Sequence, residues 1–252
     1  MVDKTTHPYK PLPDGSALVI DRYALTADPG TPVRPALLYF HGGGWHSGTR
    51  DIFRPQALIL AEAGMVCLTA EYRTRTSHDV PPQTALADAK SALRWVRTHA
   101  GELGIDPDRI AVGGGSAGGH LAIGAVVCPG FDDPADDRSV PLEAAAFVLF
   151  NPVLDNGPDG YGHEMIQADF PAFSPAHNIR PGLPPTHVHL GTSDHLIPVA
   201  ILERFAQNMR AVGNHCDLLL YEGAGHGFFN QEPWFEETLA HTRRFFADLG
   251  WI

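Results

Sequence analysis

Short apolar segments alternate with longer segments of helical periodicity along most of the chain, and this alternation is the feature that most limits the possible folds. Strands are predicted at 36–40, 65–70, 109–113, 144–150, 187–190 and 216–221. Helices are predicted at 55–63, 83–99, 116–127, 198–212 and 233–249. Regular alternation of this kind predicts an α/β fold with a mostly parallel central sheet that helices cover on both faces.

Four segments depart from the alternation. Residues 17–25 are candidates for an antiparallel hairpin at one edge of the sheet, and 106–109 (Asp-Pro-Asp-Arg) predict a turn. Residues 129–141 are rich in Asp and Pro, whereas 151–185 hold many Pro, Gly and aromatic residues. A segment as long as 151–185 is expected to be functional or partly helical. Because no linker divides the chain, we expect one domain over 1–252, with 151–185 as an irregular insertion that shapes a pocket.

The charge and hydropathy of the chain bear on its partners and location. The formal net charge is 18 − 29 = −11, and an acidic surface repels phosphate backbones and anionic membranes. Neither nucleic acid nor a membrane is therefore an expected partner. The N-terminus lacks an apolar signal-peptide core, and no apolar run approaches the length of a membrane span. The expected location is the cytoplasm, with secretion left open if a signal peptide has been trimmed.

The cysteine and histidine spacings do not resemble metal sites. Cys67, Cys128 and Cys216 lie far apart in the sequence and adjoin or end apolar runs, so we expect buried free thiols. No His-Glu-x-x-His or comparable spacing occurs among the 14 histidines. Neither a metal nor a cofactor is therefore expected.

The strongest chemical signal is a G-x-S-x-G pattern, Gly114-Gly-Ser-Ala-Gly118, between a predicted strand and a predicted helix. A nucleophilic serine needs this context, because a tight strand-to-helix turn exposes its hydroxyl at the carboxyl edge of a sheet. The N-terminal N–H groups of the following helix then point at a developing oxyanion. Ser116 is therefore the candidate nucleophile; the alternative is a glycine-rich turn with an incidental serine.

A second signal is His41-Gly-Gly-Gly-Trp45, directly after the strand at 36–40. Three consecutive glycines leave backbone N–H groups free to converge on a substrate oxygen. A loop of this type supplies an oxyanion-hole donor alongside the residue after the nucleophile, which here is Ala117. His41 itself is expected to brace the loop, and the alternative interpretation of the glycines is a flexible hairpin.

The serine requires a base, and the base requires a carboxylate that orients it. In the chain order Ser, Asp, His that α/β-hydrolases use, the candidates are Asp194, after the strand at 187–190, and His226, after the strand at 216–221. His195 is the main competing histidine, and Asp217 and Glu222 are the competing carboxylates. His120, on the helix behind Ser116, is expected to be a core residue.

These motifs together resemble the hormone-sensitive-lipase-like family of α/β-hydrolase esterases, and within it the acetyl esterase and bifunctional feruloyl/acetyl-xylan esterase-like branch. The resemblance runs from about residue 34 to the C-terminus. Besides the segments already named, it is carried by Glu71-Tyr-Arg73, Val80-Pro81, Ala87-Asp-Ala-Lys90, Arg94-Trp95, Gly104-Ile-Asp-Pro-Asp-Arg109, Gly115-Ser-Ala-Gly-Gly-His-Leu-Ala122, Gly191-Thr-Ser-Asp194 and Gly225-His-Gly-Phe228.

The resemblance implies an α/β-hydrolase fold, with an eight-stranded sheet or one close to it and a reduced cap. It implies a triad of Ser116, Asp194 and His226, and an oxyanion hole formed by the N–H groups of residues 43, 44 and 117 (Gly43, Gly44 and Ala117). One departure is Gly115, since many lipase-like members have an acidic residue before the nucleophile. Residues 1–16 and 151–185 would shape the acyl or alcohol pocket.

The predicted function is hydrolysis of short-chain carboxylic esters through an acyl-enzyme on Ser116, with acetyl esters of carbohydrates or related alcohols as the expected substrates. The expected partner is thus a small-molecule ester, with a sugar-linked ester as one option, and the oligomeric state stays open. Two alternatives stay open: an arylformamidase- or peptidase-like amide hydrolase, and a catalytically inactive hydrolase fold that binds a small ligand. The aromatic residues of the glycine loop and the insertion fit either a sugar-binding cleft or the core, namely Trp45, Tyr161, Phe170 and Phe173.

Overall fold

An eight-stranded sheet runs through the centre of a computed structural model that describes residues 1–26 and 30–252. The strands are β1 (Val2–Pro11), β2 (Ala17–Leu25), β3 (Arg34–Phe40), β4 (Val66–Ala70), β5 (Ile105–Gly115), β6 (Ala146–Phe150), β7 (Thr186–Gly191) and β8 (Cys216–Tyr221). Their order in the sheet is β1-β2-β4-β3-β5-β6-β7-β8. Strand β2 is antiparallel to both of its neighbours, and every pair from β4 to β8 is parallel. The mostly parallel sheet is thus as predicted.

Helices connect the parallel strands and pack on both sides of the sheet. They are α1 (Arg54–Glu62), α2 (Arg75–His78), α3 (Pro82–Thr98), α4 (Ala100–Leu103), α5 (Ala117–Val127), α6 (His163–Ile166), α7 (Phe170–Phe173), α8 (Val199–Ala211) and α9 (Trp234–Asp248). Side chains of α3, α5 and α8 join one apolar cluster, and those of α1 and α9 join another.

The alternation of side chains along β3 shows how the sheet is buried on both faces. Leu38 and Phe40 enter the cluster that α3, α5 and α8 cover, whereas Leu37 and Tyr39 enter the cluster beneath α1 and α9. All four side chains are buried. A strand that is covered on both faces has no polar side, which explains why residues 36–40 of β3 form an uninterrupted apolar run.

The structure adds one strand and corrects one turn. Residues 2–11 form β1, for which no strand was predicted, and β1 pairs with β2 in an antiparallel hairpin at one edge of the sheet, where the hairpin was expected. The predicted turn at 106–109 lies inside β5, which begins at Ile105. In the pairing of β5 with β3, Ile105 lies opposite Arg34 and Ile110 lies opposite Ala36. Residues 106–109 therefore bulge out of the ladder while the strand continues.

The structure also tests the expectations for residues 151–185 and for the cysteines. Residues 151–185 are partly helical, with α6, α7 and two short 3₁₀ turns at Gln167–Asp169 and Pro175–His177. The three cysteines are buried free thiols, as predicted. Within residues 1–26 and 30–252, the helices are all too short or too polar to cross a lipid bilayer.

Candidate active site

Ser116 lies on a sharp turn between β5 and α5. Its backbone angles are φ 54° and ψ −124°, a strained conformation for a residue with a side chain that costs about 1–3 kcal/mol. The neighbouring strand holds the turn, because the N–H of Ser116 donates to the carbonyl oxygen of Phe150 at 2.9 Å. A Cβ on Gly114 would lie 2.5 Å from the Phe40 carbonyl oxygen, and one on Gly118 would lie 2.1 Å from it. Glycines are therefore needed on both sides of the serine.

The structure brings Ser116, His226 and Asp194 together in one hydrogen-bonded chain. His226 Nε2 is 2.9 Å from Ser116 Oγ, and His226 Nδ1 is 2.8 Å from Asp194 Oδ2. Because the carboxylate can only accept, Nδ1 carries the proton and Nε2 presents its lone pair to the serine hydroxyl. This is the arrangement in which an imidazole can remove a serine proton.

Asp194 is held as a carboxylate by the loop that follows β7. Its side chain is fully buried, and Oδ1 accepts the N–H groups of Leu196 at 2.8 Å and Ile197 at 3.0 Å. Burial raises the pKa of the Asp194 carboxyl, but the hydrogen bonds from His226 and from these N–H groups outweigh it, so the pKa is lowered overall. Asp194 is therefore negatively charged at neutral pH and can stabilise a protonated His226.

The glycine loop leaves backbone donors free near the serine turn. Gly43 and Gly44 have φ values of 120° and 62°, which favour glycine. The carbonyl oxygen of Gly43 accepts the N–H groups of His46 and Ser47 at 3.0 and 3.1 Å, which closes the loop. Within residues 1–26 and 30–252, the N–H groups of Gly43, Gly44 and Ala117 donate to no other protein group. Three donors are thus available for a ligand oxygen.

His41 braces this loop, as predicted. Its ring stacks on Tyr72 with centroids 4.1 Å apart, and the Tyr72 hydroxyl donates to the His41 carbonyl oxygen at 2.8 Å. Burial lowers the pKa of His41 to about 4. The neutral ring can donate from Nδ1 to the Gly42 carbonyl oxygen, 2.8 Å away. His41 therefore fixes the start of the loop rather than moving protons.

The insertion at 151–185 reaches the glycine loop through Tyr161. A Cβ on Gly44 would lie 2.7 Å from the Tyr161 hydroxyl, so this hydroxyl stands beside the loop backbone. Asn156 Nδ2 donates to the Tyr161 carbonyl oxygen at 2.8 Å and holds that residue in place. The Tyr161 ring also packs against the buried Trp45, with centroids 5.9 Å apart. A tyrosine hydroxyl thus borders the free backbone donors.

Gly115, the departure from the lipase-like pattern, has a structural reason. A Cβ at this position would lie 2.6 Å from Phe229 Cζ. Phe229 follows the His226 loop and stacks on Phe53 (5.2 Å, 8°), which in turn stacks on Tyr39 (4.4 Å, 6°). The aromatic ring occupies the space that an acidic side chain before the nucleophile would need.

The other candidates from the sequence lie outside this arrangement. His195 is exposed, and Asp217 pairs with His215 at 3.0 Å on the surface of β8. His120 is a core residue, as predicted: it is fully buried, and its Nε2 contacts the Phe173 carbonyl oxygen at 2.8 Å. Burial lowers the pKa of His120 to about 4. Trp45 and Phe173 are also buried, whereas Tyr161 and Phe170 are half-buried.

One further polar residue lies at the site and was not predicted from the sequence. Asn151, directly after β6, is fully buried and has a φ of 34°. Its Oδ1 accepts the N–H of Gly227 at 3.2 Å, and its Nδ2 is 3.4 Å from His226 Nε2. The signal that could have found it is its position, because β6 neighbours β5 and ends at the same edge of the sheet.

Comparison of this chain with known proteins identifies its family. The BD-FAE family matches residues 24–139, and the dienelactone hydrolase family matches residues 170–248. The solved structure of Thermogutta terrifontis esterase 2 phosphoramylated by tabun has a TM-score of 0.93 and 40% identity, and covers 99% of this chain and 96% of that chain. The propionate-bound form has a TM-score of 0.92 and 39% identity, and covers 98% of this chain and 95% of that chain.

This chain belongs to the hormone-sensitive-lipase-like esterases of the α/β-hydrolase fold. The relatives that it matches are named esterases and carboxylic ester hydrolases. Esterase LipC of Mycobacterium tuberculosis is 32% identical over 242 residues, which cover 85% of this chain and 58% of LipC. The chain spans about half the length of the curated relatives it matches. The segment that matches the BD-FAE family contains the glycine loop and Ser116. The segment that matches the dienelactone hydrolase family contains Asp194 and His226.

Proposed function

We propose that this esterase hydrolyses short-chain carboxylic esters through an acyl-enzyme on Ser116, with acetyl esters of carbohydrates or related alcohols as its substrates. The observation that carries the proposal is the hydrogen-bonded chain Ser116–His226–Asp194 beside three free backbone N–H groups. Nucleophile, base, orienting carboxylate and oxyanion donors are the complete set that acyl transfer needs.

In the acylation half-reaction, Ser116 Oγ attacks the ester carbonyl carbon while His226 Nε2 takes the hydroxyl proton. The N–H groups of Gly43, Gly44 and Ala117 stabilise the negative charge on the carbonyl oxygen. His226 then gives the proton to the leaving alkoxide, and the C–O bond to the alcohol breaks. Asp194 stabilises the imidazolium that forms between these two steps.

In the deacylation half-reaction, water attacks the carbonyl carbon of the acyl-serine. His226 Nε2 takes a proton from the water and returns it to Ser116 Oγ as the C–Oγ bond breaks. The carboxylic acid leaves, and the free hydroxyl is restored. The same oxyanion donors serve both half-reactions, because a tetrahedral intermediate forms in each.

Two observations support the choice of a short acyl group. The Tyr161 hydroxyl stands beside the backbone of Gly44, so we infer that this side chain limits the size of an acyl group next to the proposed oxyanion donors. Thermogutta terrifontis esterase 2, which covers nearly the whole chain, has been solved with propionate and with butyrate bound. We propose acetylated carbohydrates as the source of such acyl groups because the sequence motifs resemble the feruloyl/acetyl-xylan esterase-like branch; the BD-FAE family matches residues 24–139.

The test is a substrate panel with the purified protein. It contains p-nitrophenyl esters of graded acyl length, acetylated xylo-oligosaccharides, feruloyl esters and N-formyl arylamides. We expect the largest kcat/KM for acyl groups of two to four carbons, release of acetate from the oligosaccharides, and slow or no cleavage of the amides. A preference for long acyl chains or for the amides would overturn the proposal.

The nucleophile is tested with Ser116→Ala, and the exposed Ser139→Ala serves as the matched control. Ser116→Ala is expected to lower kcat by about 10⁴-fold or more while the fold survives, and Ser139→Ala is expected to behave like the parent. A fluorophosphonate probe should label the parent and the control but not Ser116→Ala. Failure to label the parent would instead support the inactive, ligand-binding alternative.

A further inference from the structure

Asn151 is a buried amide that the reaction described above does not use. It is the first residue after β6, and the register pairs Phe150, the last residue of β6, with Gly115, which precedes the nucleophile. The N–H of Asn151 donates to the His189 carbonyl oxygen on β7 at 2.7 Å, and the residue keeps its positive φ of 34°. A strained and fully buried polar residue at this place needs a reason, since such conformations cluster at functional sites.

The orientation of the Asn151 amide follows from its partners. Oδ1 must face the Gly227 N–H, which can only donate, at 3.2 Å. The amino group therefore faces His226 Nε2, 3.4 Å away. The other ring nitrogen of His226, Nδ1, is bonded to Asp194. Among the described residues, Asp194 is the charged partner of His226. Nε2 thus receives two donors, the Ser116 hydroxyl at 2.9 Å and the longer contact from Asn151.

We propose that Asn151 is a positioning residue that keeps His226 in place during deacylation. This inference rests on the proposed function. Once Ser116 is acylated, Oγ carries the acyl carbon instead of a proton and can no longer donate to His226. The amino group of Asn151 is then the remaining protein donor in contact with Nε2. It donates to the Nε2 lone pair and so holds the neutral ring, until the attacking water displaces this long contact and gives its proton to Nε2.

This role of Asn151 predicts that a variant will lower kcat while kcat/KM stays nearly unchanged. With p-nitrophenyl acetate, kcat/KM reports steps through acylation, whereas kcat falls when deacylation slows. Asn151→Asp retains an oxygen to accept the Gly227 N–H but removes the donor to His226. We expect kcat to fall about three- to tenfold, which corresponds to one hydrogen bond. KM should fall with it, kcat/KM should change little, and a burst of p-nitrophenol should precede the steady state.

Asn214→Asp is the matched control. Asn214 is also a buried amide with both ends bonded, to the Leu183 N–H at 3.1 Å and the Arg180 carbonyl oxygen at 2.8 Å, but it lies away from the three site residues. We expect this control to lower thermal stability without a burst. Equal losses of kcat and kcat/KM in Asn151→Asp, or unchanged kinetics, would overturn the proposal.

A second measurement does not depend on turnover or on the folding of an Asn151 variant. Ser116→Ala removes the serine donor and thereby imitates the acyl-enzyme. With ¹⁵N-labelled histidine in this variant, we expect the His226 Nε2 resonance to remain displaced towards that of a hydrogen-bonded acceptor. A resonance at the position of an unbonded imidazole nitrogen would overturn the inference. This measurement uses no substrate, so it can be made even if the substrate panel contradicts the proposed ester specificity. A failure of the inference on Asn151 is therefore distinguishable from a failure of the proposed function.

Discussion

His226 Nε2 lies 2.9 Å from Ser116 Oγ, although 110 positions separate the two residues along the chain. The sheet order explains the contact, because β5 and β8 run in the same direction and therefore end at the same edge. The loop after β8 then spans the width of β6 and β7 to reach the serine. Asp194, from the loop after β7, lies between these two strand ends in the sheet order and orients the imidazole through Nδ1.

The first prediction concerns this carboxylate. Asp194→Asn retains the size of the side chain but replaces an acceptor by an amide, which no longer selects the tautomer with a proton on Nδ1. We expect kcat to fall by about 10⁴-fold, as is typical for a triad carboxylate. Asp217→Asn is the control, because it alters another Asp–His pair, at 3.0 Å, that lies outside the site. Steady-state kinetics on a short-chain ester check both; more than a tenth of parental kcat in Asp194→Asn contradicts the assignment.

The second prediction concerns the glycine loop. Gly44→Ala places a Cβ 2.7 Å from the Tyr161 hydroxyl and must displace either the loop or the tyrosine. Since a displaced oxyanion donor loses most of its effect, we expect kcat to fall by about 10²-fold. Gly223→Ala is the control, because its φ of 71° is also positive but nothing lies within 4 Å of the added Cβ. Adding Tyr161→Phe to Gly44→Ala should restore part of the activity, and no recovery would argue against the clash.

The third prediction concerns Gly115, the residue before Ser116. Gly115→Ala forces its Cβ against Phe229, which is buried between other rings and cannot move freely. Overpacking of this kind typically costs about 1–3 kcal/mol in the free energy of unfolding. Urea unfolding checks the value. Gly101→Ala, at an exposed helical position with open space for a Cβ, should be neutral or slightly stabilising; equal effects in the two variants would count against the explanation for Gly115.

The fourth prediction concerns stability in acid. Burial lowers the pKa of His41, His120 and His187 to about 4 in the folded protein, whereas the unfolded chain binds these protons near pH 6.5. The unfolded state therefore binds more protons between these values, and the free energy of unfolding must decrease as pH falls from about 6.5 towards 4. Urea midpoints measured across this range check the slope. His187→Gln should reduce the slope, and a parental midpoint that stays constant down to about pH 4.5 would refute the prediction.

The fold could be predicted wherever burial leaves a periodic signal. Strands β3, β4, β6 and β7 are apolar and buried almost throughout, because helices cover both faces. Strand β8 was predicted from its apolar run, although only its two end residues are buried. The helices show one apolar side or, in α5, apolar residues all round. Strand β1 left no such signal. It is an edge strand with Pro8 and Pro11, most of its side chains are not buried, and a bulge at Pro8/Lys10 interrupts its pairing. An edge strand can be polar because it has one neighbour and little burial.

The site could be predicted to the extent that its residues follow strands. Ser116, Asp194 and His226 each occur just after a predicted strand, and parallel strands that end at one edge bring such residues together. The contacts of Asn151 with His226 and of Phe229 with Gly115 were not predictable in this way. They depend on the register between neighbouring strands and on the path of a loop, which leave no periodic pattern.

The stacked rings of Tyr39, Phe53 and Phe229 join the segment after His226 directly to a central strand. Displacing Phe229 on warming would also open the apolar layer beneath α1 and α9. Thermal inactivation and melting should therefore coincide, and an enzyme that has lost turnover in a heat challenge will already have lost its tertiary structure.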